Sequence, residues 1–157
     1  MNENNVIAIK KLTSDNVEDY IGYLKKVLAE EPEMMCTEKV MEEEIRKSVN
    51  DPLFSKSTSL LAYRDGEIVG RIEYHFYGCI QDGFKMAYVN WLYVMKKYRH
   101  RGIARQLFAE FEKDCKSCGI NQYFLLRAEN EGAERFYRSF ESAELSNAPI
   151  LRKNIKP

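Results

Sequence analysis

The chain has 157 residues, 45% of them hydrophobic and 31% charged, a balance that suits one water-soluble domain, residues 1–157, around a single core. Its 24 basic residues are matched by 24 acidic ones, so no global field draws it to nucleic acid or to an anionic membrane. Residues 1–5 lack the basic and apolar stretches of a secretion signal, and no apolar run approaches the ~20 residues that span a bilayer, so a cytoplasmic protein is expected.

Residues 6–12 alternate and predict a first strand. Thr13 or Ser14 then caps a helix carrying Val17, Tyr20, Ile21, Leu24, Val27 and Leu28 on one side, and Pro32 ends it. Thr37 caps a second helix with Val40, Met41, Ile45 and Val49 on its buried side, stopped by Asn50-Asp51-Pro52. Strands follow at 59–64 and 67–77 around Asp65-Gly66, a strong two-residue hairpin signal. Asp82-Gly83 marks a second reversal, and 86–95 is a strand rich in aromatic and β-branched residues. Ile103, Leu107, Phe111 and Cys115 form the stripe of a helix closed by Gly119. Residues 122–127 read as a strand and 131–140 as a short helix. The tail at 143–155 is expected to add one or two closing strands, with Pro149 in the connection or at an edge.

The four thiols, Cys36, Cys79, Cys115 and Cys118, are expected to be reduced. Cys115 and Cys118 have the spacing of half a zinc site, but no second tight pair completes it, so no metal is expected. Cys115 reads as packed under a helix end and Cys118 as part of the following turn.

The most informative stretch ends a strand at Val94, runs through a basic turn and enters a helix at Gly102. A helix N-terminus offers unpaired N–H groups and a positive dipole end, which together bind phosphate. Gly102 removes the side chain where an anion approaches the backbone, Ala104 keeps the first turn open, and Arg99, Arg101 and Arg105 add charge. The glycine patterns of P-loops and of dinucleotide-binding folds are absent.

Residues 88–104 resemble the acetyl-coenzyme A binding segment of the GNAT superfamily of N-acetyltransferases. Its pattern [QR]-x-x-G-x-[GA] is met by Arg99, Gly102 and Ala104, preceded by the strand Trp91-Leu92-Tyr93-Val94. Asn130, Ala133, Phe136 and Tyr137, on the helix after the next strand, resemble the family's later motif. The resemblance covers nearly the whole chain. It implies a small bacterial-type member with a mixed α/β fold: a mostly antiparallel sheet of about six or seven strands, one pair splayed, flanked by about four helices. It also implies acetyl-CoA as co-substrate. The pantetheine arm would bond to main-chain groups of Leu92 and Val94, with Tyr93 between them, as a missing strand would. The diphosphate would sit on the amides of Arg99, His100, Arg101, Gly102, Ile103 and Ala104. Asn130, Ala133 and Tyr137 complete the expected cofactor set.

Attack on a thioester needs positioning and proton handling. The resemblance implies the Leu92 N–H as oxyanion donor and Tyr137 as the acid that reprotonates the thiolate. Many members carry a glutamate where this chain has Asn90, which cannot act as a base but can hold a water. Glu73 on the neighbouring strand is the nearest alternative carboxylate, and a water chain without a dedicated base is the third option. Alternation places Tyr88, Asn90, Leu92 and Val94 on one strand face. His75 and His100 read as a packing residue and a loop residue. The family's Gly-Phe after the tyrosine is replaced by Glu141-Ser142, which puts that turn in question.

The acceptor is expected to be a primary amine of a small molecule or peptide. Glu30, Glu31, Glu33, Glu38, Glu42, Glu43 and Glu44 would draw a cationic one, though an ordinary charged helix face is the plainer reading. A non-catalytic acyl-CoA sensor on the same fold is the alternative function. A nucleic-acid module using the basic turn is disfavoured by zero net charge. An exposed closing strand would allow two copies to pair as a homodimer.

Overall fold

The computed structural model describes residues 6–155. The chain divides into two compact units, one ending at Leu125 and the other running from Leu126.

The first unit is one sheet with helices on both faces. β1 (Ala8–Lys11), β2 (Ser57–Arg64), β3 (Glu67–Gly78), β4 (Lys85–Val94) and β5 (Gln122–Leu125) lie in sequence order. All neighbours are antiparallel except β4 and β5, which are parallel. The β2–β3 hairpin turns at Asp65-Gly66, with φ of 51° and 81°, the type I′ geometry that dipeptide favours. Residues 126–127, expected to extend the last strand, lie beyond it.

α1 (Val17–Glu30) and α2 (Glu42–Ser48) follow β1. Asn16, not Thr13 or Ser14, precedes α1, and its amide turns back to Thr13 N–H and the Lys11 carbonyl. α2 starts five residues after Thr37, whose hydroxyl donates to the Lys39 carbonyl instead of capping. Three glutamates fill its first turn, where the helix dipole favours anions. Arg46 binds Glu18, Glu42 and Glu43 and ties α2 to α1.

One sheet face packs on α1 through Tyr20, Tyr23, Leu24, Val27, Leu61, Tyr63, Ile68 and Tyr93, with Trp91 against them. On the other face lies α3 (Ile103–Ser117), whose stripe Ile103, Leu107, Phe111 and Cys115 is buried as the spacing predicts. Burying Leu107 and Phe111 contributes about 2 kcal/mol each. Ile120 N–H bonds to Cys115 O and Gly119 N–H to Lys116 O, a Schellman closure that leaves Cys118 exposed in the turn.

The second unit contains α4 (Glu131–Arg138), two residues shorter than expected. No strand forms after it among the described residues, so the sheet has five strands rather than six or seven. Ile150 and Leu151 are adjacent and Pro149 lacks a donor, so the alternation of a half-buried strand is broken there and one ladder N–H is missing. Ser142, at the position of the family's Phe, takes φ 59°, so the turn put in question by the sequence has its left-handed residue there. No helix is long and apolar enough to cross a membrane among the described residues.

Candidate active site

β4 is irregular at the point where the chemistry is expected. Tyr74 opposes Val89 and Glu73 opposes Trp91, so Asn90 is an extra, bulged residue. The bulge breaks the alternation. Tyr88 and Asn90 share the α1 face with Glu73 and His75, whereas Val94 packs against Ile103 on the α3 face. With Trp91 and Tyr93 in the α1-side cluster, Leu92 follows Val94 to the other face. The expected single face of Tyr88, Asn90, Leu92 and Val94 is therefore split in two.

Pairing of β4 with β5 stops at Val89 and Leu125. Residues 90–94 continue with β3 on one side only, an open edge inside the sheet. The edge leads into the basic turn. His100 and Gly102 have φ of 60° and 77° with Arg101 between them at negative φ, the alternation that gathers successive amides into an anion-binding nest. No side chain caps α3 at Gly102, and the first bond into the helix is Gln106 N–H to Gly102 O at 3.1 Å. The amides of residues 102–104 thus point out of the helix end. A Cβ built on Gly102 meets nothing within 4 Å, so the concavity is open. These features fit a diphosphate.

The turn is fastened by the end of α1. Arg99 donates to Glu31 Oε2 at 2.5 Å and to Val94 O at 2.9 Å, and lies 5.1 Å over the Tyr93 ring. Glu30 Oε2 accepts from Tyr93 OH at 2.7 Å and Lys96 N–H at 3.0 Å. Burial raises the Glu31 carboxyl, but hydrogen bonds from Tyr93 and Arg99 and the charges of Arg99 and Lys96 outweigh it and hold it below its ordinary value. The Arg99 side chain is thus spent on position. Glu30 and Glu31 serve the turn, and Glu42, Glu43 and Glu44 pair with Lys25, Arg46 and Lys47, so the acidic rim is largely neutralised.

On the α1 face, Glu73 collects donors. Asn90 Nδ2 reaches Oε1 at 2.7 Å and Ser59 Oγ reaches Oε2 at 3.0 Å. Arg71 Nη2 is 3.6 Å away and His75 Nε2 3.9 Å. Ser57 Oγ and His75 Nδ1 are 2.6 Å apart. Burial raises the Glu73 carboxyl, yet the Arg71 charge, the bonds from Asn90 and Ser59 and the His75 charge together hold it below the ordinary carboxylate value. Sequence reasoning picked out Glu73 and Asn90 but missed Arg71, Ser57 and Ser59. Register counted from the hairpin would not have found the serines, because the shift between Ala62 and Tyr63 moves Ser59 opposite Glu73 and Ser57 opposite His75.

In the second unit, Asn130 caps α4 by accepting from the Ala133 N–H at 2.8 Å. Tyr137 packs its ring on Phe136 and Phe140, and burial raises its phenol to about 12.

The profile of the acetyltransferase (GNAT) family matches residues 22–141, more than three quarters of the chain. The chain belongs to the GNAT acetyltransferase family. Solved structures share the fold of this acetyltransferase. An aminoglycoside acetyltransferase from an uncultured soil metagenomic sample, solved with trehalose, superposes with a TM-score of 0.80 at 20% identity, over 96% of this chain and 98% of its own. A ribosomal-protein-alanine N-acetyltransferase from Brucella melitensis biovar Abortus gives 0.74 at 16%, over 94% and 100%. The aminoglycoside N-acetyltransferase AAC(6')-Iy in complex with CoA gives 0.74 at 17%, over 98% of both chains. No curated protein matches the sequence of this acetyltransferase.

Proposed function

We propose that this acetyltransferase moves an acetyl group from acetyl-CoA to a primary amine of a small molecule or peptide, by direct attack and without a metal. The observation that carries the reading is the open edge of residues 90–94 running into the uncapped nest at His100 and Gly102. An extended pantetheine arm would pair with that edge, and its diphosphate would rest on the amides of residues 99–104. Both units act as one domain in this reading, which the family match across residue 125 supports. The similar aminoglycoside and ribosomal-protein-alanine enzymes are N-acetyltransferases by their names, which favours an amine here.

Bound acetyl-CoA supplies the activated acyl group. The chain's part is to receive a proton from the acceptor ammonium, hold the developing oxyanion and return a proton to the thiolate. The Glu73–Asn90 pair is the proposed proton-accepting centre, acting on the amine through water. The carboxyl is ionised at neutral pH, and the donors that hold it low also weaken it as a base, so it would take the proton transiently and pass it on through water. The Leu92 N–H is the proposed oxyanion donor. Tyr137, whose phenol stays protonated to about 12, is the proposed proton donor.

The test is isothermal titration of acetyl-CoA into the wild type and Gly102→Glu, followed by free-thiol release over an amine panel. Binding lost in the variant, with thiol release on some amine, is the expected result. Binding without turnover on any amine favours the acyl-CoA sensor, and no binding overturns both readings.

A further inference from the structure

The α1 face of the sheet buries a charge that the proposed mechanism leaves without a role. Arg71 on β3 is only 5% exposed. Its guanidinium lies between the rings of Tyr20 and Trp91, 5.1 Å from each centroid. Its ionic partner is Glu73, 3.6 Å from Nη2. Arg71 Nε and Trp91 Nε1 find no acceptor among the described residues. Burial lowers the guanidinium to about 10, against the opposing charge of Glu73.

A buried ion pair seldom repays the desolvation of both charges, and a well-packed apolar residue in its place is often as stable. Packing alone therefore gives little reason for a guanidinium here. Two consequences of its placement bear on the site. It clamps Trp91, the residue after the bulge at Asn90. It also shares the Oε2 side of Glu73 with Ser59, which leaves Oε1 turned to Asn90.

We propose that Arg71 is a positioning residue of the catalytic site, holding Glu73 as an oriented anion against Asn90. This rests on the reading of Glu73 and Asn90 as the proton-accepting centre. The groups facing Glu73 are Arg71 and His75 from β3, Ser59 from β2 and Asn90 from β4. Of these, Arg71 alone stays charged across the whole range in which a carboxylate titrates.

Carbon-13 NMR of the glutamate carboxyls tests the proposal without turnover, with the Glu73 signal assigned by its loss in Glu73→Gln. In Arg71→Met the Glu73 midpoint rises by about one pH unit, and Arg71→Lys recovers part of the shift. A wild-type midpoint in Arg71→Met overturns the proposal. Thermal melts provide a second check. Glu73→Gln strands the buried guanidinium, so it melts lower than the double variant Arg71→Met/Glu73→Gln, and strict additivity overturns the pairing. In acetyl-transfer assays the acid limb of kcat/KM moves up with the NMR midpoint in Arg71→Met, while acetyl-CoA affinity stays within about twofold of wild type. A wild type that binds acetyl-CoA but acetylates no amine removes the catalytic reading and the role of Arg71 together. An active wild type with an unmoved limb removes the role of Arg71 alone.

Discussion

Asn90 Nδ2 donates a 2.7 Å hydrogen bond to Glu73 Oε1, joining a bulged residue of β4 to the carboxylate of the neighbouring strand. The bond gives Asn90 a use that its side chain lacks alone. In the proposed mechanism the amide orients the carboxylate, and the carboxylate supplies the basicity that the amide does not have.

Removing either partner is expected to lower kcat/KM by about a hundredfold while leaving acetyl-CoA affinity unchanged. The comparison is steady-state kinetics and titration of Asn90→Ala and Glu73→Gln. Glu73 is held below its ordinary carboxylate value, so it becomes protonated only at lower pH. The acid limb of kcat/KM therefore falls below the ordinary glutamate midpoint of about 4.3. The same shift makes Glu73 stabilise the fold above that unfolded value, and this contribution disappears as pH falls through the lower folded one.

Tyr137→Phe is expected to reduce kcat by about tenfold to a hundredfold with little change in acetyl-CoA binding. The phenol titrates at about 12, so the wild type shows no alkaline loss of activity from this group below about pH 11. A Phe variant with wild-type kcat excludes the acid role.

Gly70 lies where β3, the end of β4 and the start of α3 meet. An added Cβ would stand 3.2 Å from Val94 Cγ2, 3.3 Å from Ile103 Cγ2 and 3.4 Å from the Tyr93 carbonyl. Gly70→Ala is expected to cost about 1–3 kcal/mol by overpacking. It should also weaken acetyl-CoA binding by pushing the nest away from the β4 edge. Chemical denaturation and titration measure the two effects on one variant.

Above neutrality the buried tyrosines govern stability. Burial raises Tyr23, Tyr74 and Tyr93, with nearby carboxylates adding to the effect. Unfolded tyrosine loses its proton near about 10, while these three keep theirs in the folded state. The unfolded state then binds fewer protons, so stability falls as pH rises past that value. Tyrosinate absorbance should show these side chains titrating together with loss of circular dichroism.

The order of elements was legible because each helix and strand carries its own period. The α3 stripe and the Asp65-Gly66 hairpin lie where the spacing puts them. The glycine at the start of α3 was legible too, since Arg99, Gly102 and Ala104 are close in sequence, but the positive φ of His100 and the tie of Arg99 to Glu31 were not. The Glu73 cluster was not. With Arg64 opposite Glu67, one-to-one pairing would set Ser59 opposite Ile72. The register shift between Ala62 and Tyr63 brings Ser59 opposite Glu73 instead, and the bulge at Asn90 turns a second residue of β4 toward it.

Local pattern thus accounts for the elements, the family and the glycine turn proposed to hold the diphosphate, because periodicity, turn chemistry and glycine placement act over a few residues. The strand count and the surroundings of Glu73 depended on contacts between residues distant in the chain. A bulge adds one residue to one strand, and which residue that is follows from packing on both faces of the sheet. That packing, acting across three strands and α1, brings Arg71, Glu73 and Asn90 together.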